Sequence, residues 1–377
     1  MTWRLAGRAD LPDVRAALAD VPCIALDTEF HTERRYLPQL YLVQIKLPDG
    51  TTWILDPLDE HTLEVIADGL ARPDWVVHGG QQDLRVLVPI AGRPRRVFDT
   101  QVGAGLVGPR YPASYADLGM TWLGIEIDKG ETLSDWSRRP LHPEQLTYAA
   151  ADVADLQRLW SLLAARADSL GRTQGLEAAC NEMVEVALAP TSPDWRRGSA
   201  QSSLEPRNAA ALQALFAWRE RTAALLDQPA RQIVPDAILG ELARRLPKTR
   251  SVLVANRRLS KSLVRDFGDE ILVAIHTAAG LPIEELPVTI RAGSLEARRS
   301  ATLLAVAEIL GAQASWAPGL VLPRARLDEL AIAPPGDRSA VRAALGAWRD
   351  ELVGDALTAF LVDSTRLSWN DGAPSLV

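Results

Sequence analysis

The residues best placed for chemistry are Asp27-Thr28-Glu29-Phe30, which follow the mostly apolar run Cys23-Ile24-Ala25-Leu26. In an extended strand, residues i and i+2 share a face about 7 Å apart along the chain, so Asp27 and Glu29 point the same way. Two carboxylates on one face of a buried strand repel each other and call for a shared cation or a shared proton. Acids are also common where a strand enters a solvated turn, so the pair gains meaning only if other acids join it. Two further runs supply them. In His78-Gly79-Gly80-Gln81-Gln82-Asp83-Leu84 the glycines permit a tight turn, which puts Asp83 in the first turn of the next helix, near the end of the sheet. In Tyr148-Ala149-Ala150-Ala151-Asp152, Tyr148 and Asp152 stand at i and i+4 on one helix face, and the small alanines let another element approach closely. Taken singly, an acid near a helix start is more often a cap, and a Tyr/Asp pair is more often a surface pair. His78 reads as a loop-bonding residue rather than a base, and Asp99 as the cap of a helix starting at Thr100.

The elements that must carry these residues can be read from periodicity. A short helix near 11–18 precedes strands at 23–29, 40–47 and 51–55. Pro48-Asp49-Gly50 makes a hairpin between the last two. Helix 60–70, strand 75–78, a helix from about 81, strand 97–99 and helices near 114–123 and 143–166 then alternate, which implies a parallel half. The expected fold is α/β, a mixed sheet covered by helices. The stretch 189–206 is rich in Pro, Ser and Gly and reads as a linker. Beyond Arg207 strand signals disappear and helical spacing takes over, with a second break at 281–287. Residues 233–243 recur in pattern at 321–331, and Gly268-Asp269 recurs as Gly354-Asp355, which suggests a duplicated helical module.

Composition bounds the function. A 377-residue chain with 47% hydrophobic and 24% charged residues is long enough for two or three globular domains. Its net charge of −7 argues against a general nucleic-acid coat protein. Within 207–281, however, 12 Lys/Arg face 7 Asp/Glu, densest at Arg257, Arg258 and Lys261, a balance suited to phosphate contacts. No apolar run reaches the ~18 residues of a membrane span. The start lacks the apolar core of a secretion signal, and Cys23 and Cys180 lie far apart, so a reducing cytoplasm is expected.

Together, Asp27–Phe30, His78–Leu84 and Tyr148–Asp152 resemble the three exonuclease motifs of the DEDD 3′-5′ exonuclease superfamily, in its tyrosine branch, and more narrowly the ribonuclease D family. Tyr36-Leu37-Pro38-Gln39-Leu40 with Gln44, Phe98-Asp99-Thr100-Gln101, and the run from Lys129 through Asp135-Trp136 to Arg139-Pro140-Leu141 fit the same family. The stretch 207–281 resembles an HRDC domain. The resemblance implies a ribonuclease H-like nuclease domain at 1–188, a linker at 189–206, an HRDC domain at 207–281 and a second, degenerate HRDC-like helical domain at 288–377.

It also implies that Asp27, Glu29, Asp83 and Asp152 bind two divalent cations, Mg²⁺ or Mn²⁺, with Tyr148 beside the attacking water; Asp27, which the strand fixes at the centre, is the expected bridging ligand. Hydrolysis of a phosphodiester adds negative charge to an already anionic centre, and paired cations answer that need. Four carboxylates without Cys or His suit hard ions. The implied activity is removal of nucleoside 5′-monophosphates from RNA 3′ ends, with transfer RNA precursors as the substrate class and a monomer as the favoured state. Phe30 is a candidate for stacking on the terminal base, against an ordinary core role. Lys129 is a candidate RNA contact, against pairing with Glu126 or Glu131. A DNA 3′-5′ exonuclease would use the same acids, and a non-catalytic nucleic-acid-binding scaffold would have no need to keep all five motif residues.

Overall fold

The apolar runs become the strands of a six-stranded mixed sheet in the computed structural model, which describes residues 3–32, 35–127, 135–189, 195, 204–287, 289–290, 293–363, 365–370 and 373–376. In chain order the first part comprises β1 (Trp3–Leu5), α1 (Leu11–Asp20), β2 (Cys23–His31), β3 (Gln39–Lys46), β4 (Thr52–Leu55), α2 (Glu60–Gly69), β5 (Asp74–Val77), α3 (Gln81–Ala91), β6 (Val97–Asp99), α4 (Thr100–Val107), α5 (Tyr115–Leu118), α6 (Pro143–Asp152), α7 (Leu156–Ser169) and α8 (Thr173–Leu188). The sheet order is β1-β4-β3-β2-β5-β6. β2 pairs antiparallel with β3 and parallel with β5, so the acidic strand is central. Gly50, at φ +92°, closes the expected β3–β4 hairpin, where the left-handed region favours glycine.

The pleat divides β2 between two environments. Ile24 and Leu26 point into the main apolar core with Val43 and Ile45 of β3. Ala25, Asp27 and Glu29 point the other way, onto the face where Leu42, Ile54, Leu146, Ala149 and Ala150 pack. Ala149 and Ala150 of α6 are fully buried there, as close approach to the sheet requires.

Three differences from the sequence expectation have physical causes. β1 was not anticipated: three residues are too few to show a period, and its parallel pairing with β4 is long-range. The helix expected over 143–166 is broken at 153–155. There Lys46 Nζ of β3 donates to the Ala154 carbonyl, and the Asp155 N–H donates to Tyr115 Oη at 3.1 Å. Beyond Arg207, where no strand was expected, β7 (Leu367–Asn370) pairs antiparallel with β8 (Ala373–Leu376).

The helical part contains α9 (Pro206–Leu226), α10 (Ala230–Ile233), α11 (Asp236–Arg245), α12 (Arg250–Ala255) and α13 (Lys261–Ala279), then α14 (Leu295–Ala314), α15 (Pro318–Val321), α16 (Arg324–Ile332), α17 (Arg338–Leu345), α18 (Ala347–Arg349) and α19 (Asp355–Leu361). The chain forms two compact units: Met1–His31 with Gln39–Ala189 and Thr302–Val377, and Thr32–Pro38 with Pro190–Ala301. The second unit has its own core, including Leu212, Leu215, Trp218, Leu239, Leu242 and Ile271. Its buried Arg219 donates Nη1 to the Val234 carbonyl at 2.7 Å and to Asp236 at 2.6 Å. In the first unit, Val306, Trp316, Val321, Leu327 and Leu345 share one apolar core with the sheet. The two segments related by internal similarity form α11 and α16, each opened by a proline. Most of the expected linker 189–206 lies outside the described residues. No helix among the described residues is long and apolar enough to cross a membrane.

Candidate active site

The site is built from β2 outward. Asp27 and Glu29 share a face of the strand, and Asp152 reaches them as the last residue of α6. One oxygen from each of these three carboxylates lies within 4.8 Å of the other two, the one such cluster among the described residues. The break after α6 makes this possible by ending the helix over the sheet. Asp152 thus sits at a helix C-terminus, whose partial negative charge adds to the demand for a cation.

Asp83 arrives differently. It lies in the first turn of α3, outside the cluster of three, where the helix N-terminus favours a carboxylate. Thr28, between the two strand acids, donates its hydroxyl to Asp83 Oδ1. The turn before α3 is tied down by Asp99, whose carboxylate accepts from Gly79 N at 3.0 Å and Gly80 N at 2.9 Å. The same carboxylate caps α4, accepting from Gln101 N at 2.8 Å and Val102 N at 3.3 Å. Asp99 is therefore the cap expected from its position, and a tether for the Asp83 turn as well. His78 Nδ1 lies 2.9 Å from the Thr100 hydroxyl, which gives its own proton to the Val77 carbonyl. Burial holds the imidazole pKa below the ordinary value, and its ring is engaged in the loop that follows β5.

Burial and mutual repulsion raise the proton affinity of the acids. Asp27 is pushed well above the carboxylate range, first by burial and then by the charges of Asp83, Asp152 and Glu29. Glu29 is pushed up to about 9 by burial and by Asp152 and Asp83. Burial takes Asp152 to about 7, opposed by a hydrogen bond from Tyr148, and Asp83 to about 6, opposed by the one from Thr28. Such a set is strained when fully ionised alone and relieved by multivalent cations. The donors are all carboxylates, the chemistry Mg²⁺ and Mn²⁺ prefer.

Tyr148 stands half-buried one turn before Asp152, its ring 6.3 Å from that of buried Trp136. Trp136 is held near the sheet by Arg139, which donates to the Trp136 carbonyl at 2.8 Å and to the Tyr41 carbonyl at 2.9 Å. Phe30 follows an irregularity in the β2–β3 pairing after Glu29 and packs part of its ring on the main core. Arg257, Arg258 and Lys261 are exposed at the turn into α13 in the second unit, where Arg258 also reaches Glu241 at 3.3 Å. Lys129 lies outside the described residues.

Sequence reasoning gave no role to Thr28, to the tether function of Asp99, or to Gln44. A lone amide inside the apolar run Leu40-Tyr41-Leu42-Val43-Gln44-Ile45 was the available signal for Gln44.

Comparison with known proteins agrees with this geometry. A family model described as a 3′-5′ exonuclease matches residues 6–167, and one described as an HRDC domain matches residues 208–275. The ribonuclease D of Gluconacetobacter diazotrophicus is 33% identical over 96% of this chain and 93% of its own length. That of Pseudomonas paraeruginosa is 35% identical over 71% of this chain and 72% of its own length. The crystal structure of Escherichia coli RNase D, an exoribonuclease involved in structured RNA processing, superposes with a TM-score of 0.75 at 26% identity, covering 97% of this chain and 100% of that one.

Proposed function

Because this chain belongs to the ribonuclease D family, we propose that it is a 3′-5′ exoribonuclease that hydrolyses RNA 3′ ends to nucleoside 5′-monophosphates, with transfer RNA precursors among its substrates. The observation that carries the reading is the convergence of Asp27, Glu29 and Asp152 from two elements, with Asp83 fixed beside them through Thr28. Asp27, Glu29, Asp83 and Asp152 would hold two divalent cations, Mg²⁺ or Mn²⁺. When bound, such ions lower the pKa of an attacking water and stabilise the leaving 3′ oxygen.

The other side chains orient and exclude. Tyr148, whose ordinary pKa of about 10 makes it a poor base unaided, donates to Asp152 and is placed to orient the attacking water and relay its proton. The exposed part of the Phe30 ring offers a face for the terminal base, a contact that tolerates any sequence. Arg257, Arg258 and Lys261 offer the RNA backbone a cationic surface. The free thiols of Cys23 and Cys180 fit a reducing cytoplasm, and a monomer suffices for the chemistry because one chain carries all five motif residues.

Matched single-stranded RNA and DNA test the reading in Mg²⁺, with EDTA as control. The expected result is mononucleotide release from the RNA 3′ end, abolished by chelation. Faster digestion of DNA would replace the substrate with its deoxy analogue, and metal-independent cleavage would remove the cation site.

A further inference from the structure

Gln44 stands directly opposite Asp27 in the antiparallel β2–β3 register. Directly paired residues send their side chains to the same face, with Cβ atoms about 4.5–5.5 Å apart. That face is the one carrying Asp27 and Glu29, and it lies beneath α6. Gln44 is 0% exposed, and neither its Oε1 nor its Nε2 finds a hydrogen-bond partner among the described residues. Its neighbours on the strand, Leu42 and Ile45, are equally buried and apolar. A buried amide without partners destabilises a fold by roughly 1–3 kcal/mol relative to an apolar side chain of the same shape. Packing therefore does not account for an amide at this position.

The nearest chemistry that does is the Asp27 carboxylate. A metal-binding carboxylate has lone pairs beyond the one it gives to the ion, and a hydrogen bond to the remaining oxygen fixes the orientation of the group. An amide N–H on the adjacent strand, rigid at both ends of the register, is suited to that role, directly or through one buried water. We propose that Gln44 is a positioning residue for metal binding, its Nε2 holding the Asp27 carboxylate in the orientation that receives the cation. The proposal rests on the cation reading of the acidic cluster and extends it to a residue that touches neither metal nor RNA.

The test is Gln44→Met, which keeps length and bulk and removes both polar atoms. Two quantities are read on the full chain without RNA: the melting temperature of the metal-free protein, and Mg²⁺ affinity by calorimetry. The metal-free variant is expected to melt at or above the temperature of the original protein, while Mg²⁺ affinity falls about 10- to 100-fold. The Mg²⁺ concentration for half-maximal RNA cleavage should rise by the same factor. Unchanged Mg²⁺ affinity overturns the proposal. So does a variant that melts well below the original or fails to fold, since that would make Gln44 a structural residue with a partner. If the original protein itself binds no Mg²⁺, the cation reading fails, an outcome distinct from equal binding by both proteins.

Discussion

At the scale of single residues, the acids dominate because burial and proximity raise their affinity for protons and cations alike. Each raised carboxyl binds its proton more tightly in the folded chain than in the unfolded one. The resulting stabilisation is complete below the unfolded value near 4 and is lost as pH rises through about 6 for Asp83, about 7 for Asp152 and about 9 for Glu29. The metal-free protein should therefore melt lower at about pH 8.5 than at about pH 5, and Mg²⁺ should restore the difference. Asp152→Asn should flatten this pH dependence and abolish Mg²⁺-dependent cleavage. A thermal melt series with and without EDTA checks both the sign and the variant. Tyr148→Phe removes a donor that holds the Asp152 pKa down, so the acidic limb of the kcat profile should move to higher pH. Its kcat should fall about 10²-fold, the low end for a positioned proton-transfer group, with RNA affinity unchanged. An unchanged profile and rate would take Tyr148 out of the reaction.

At the scale of elements, the strand-borne pair and the i, i+4 spacing of Tyr148 and Asp152 were legible because strand and helix periods are local. What brings Asp152 to β2 was not. The break after α6 depends on Lys46 and Tyr115, 108 and 40 residues away from their partners, and continuous helical periodicity across 143–166 concealed it. The Asp83 turn shows the same division: the glycines announce a turn, but its tether to Asp99 crosses from β6. Asp99→Asn puts an amide where Gly80 N–H needs an acceptor, a mismatch worth about 1–3 kcal/mol. It should lower the melting temperature and weaken Mg²⁺ activation together. Asp59→Ala, which removes only a cap on α2 and its contact with Arg8, should lower stability alone. Equal Mg²⁺ activation in both variants would remove Asp99 from the support of the site.

At the scale of the whole molecule, internal similarity between 233–243 and 321–331 was visible in the sequence, whereas the different surroundings of the two copies were not. The first lies in a unit with its own core; the second lies in the unit that also contains the sheet. Arg349 locks this arrangement, pairing with Glu182 of α8 at 2.6 and 2.8 Å and donating to the Val321 carbonyl at 2.8 Å. Replacing it, as in Arg349→Met, should cost about 1–3 kcal/mol, less than for a fully buried pair because Glu182 is 39% exposed. Calorimetry should show the transition of the first unit moving down as one, since its helices beyond Thr302 and its sheet share a core. A separate low-temperature transition of those helices would contradict the shared core. The most direct measurement follows 5′-labelled RNA in Mg²⁺ over time, with the original chain and Asp27→Asn side by side. The expected record is a ladder shortening by one nucleotide at a time from the 3′ end, absent with the variant. Internal fragments, or an equal ladder from Asp27→Asn, would contradict the assignment of these acids to exonucleolytic hydrolysis.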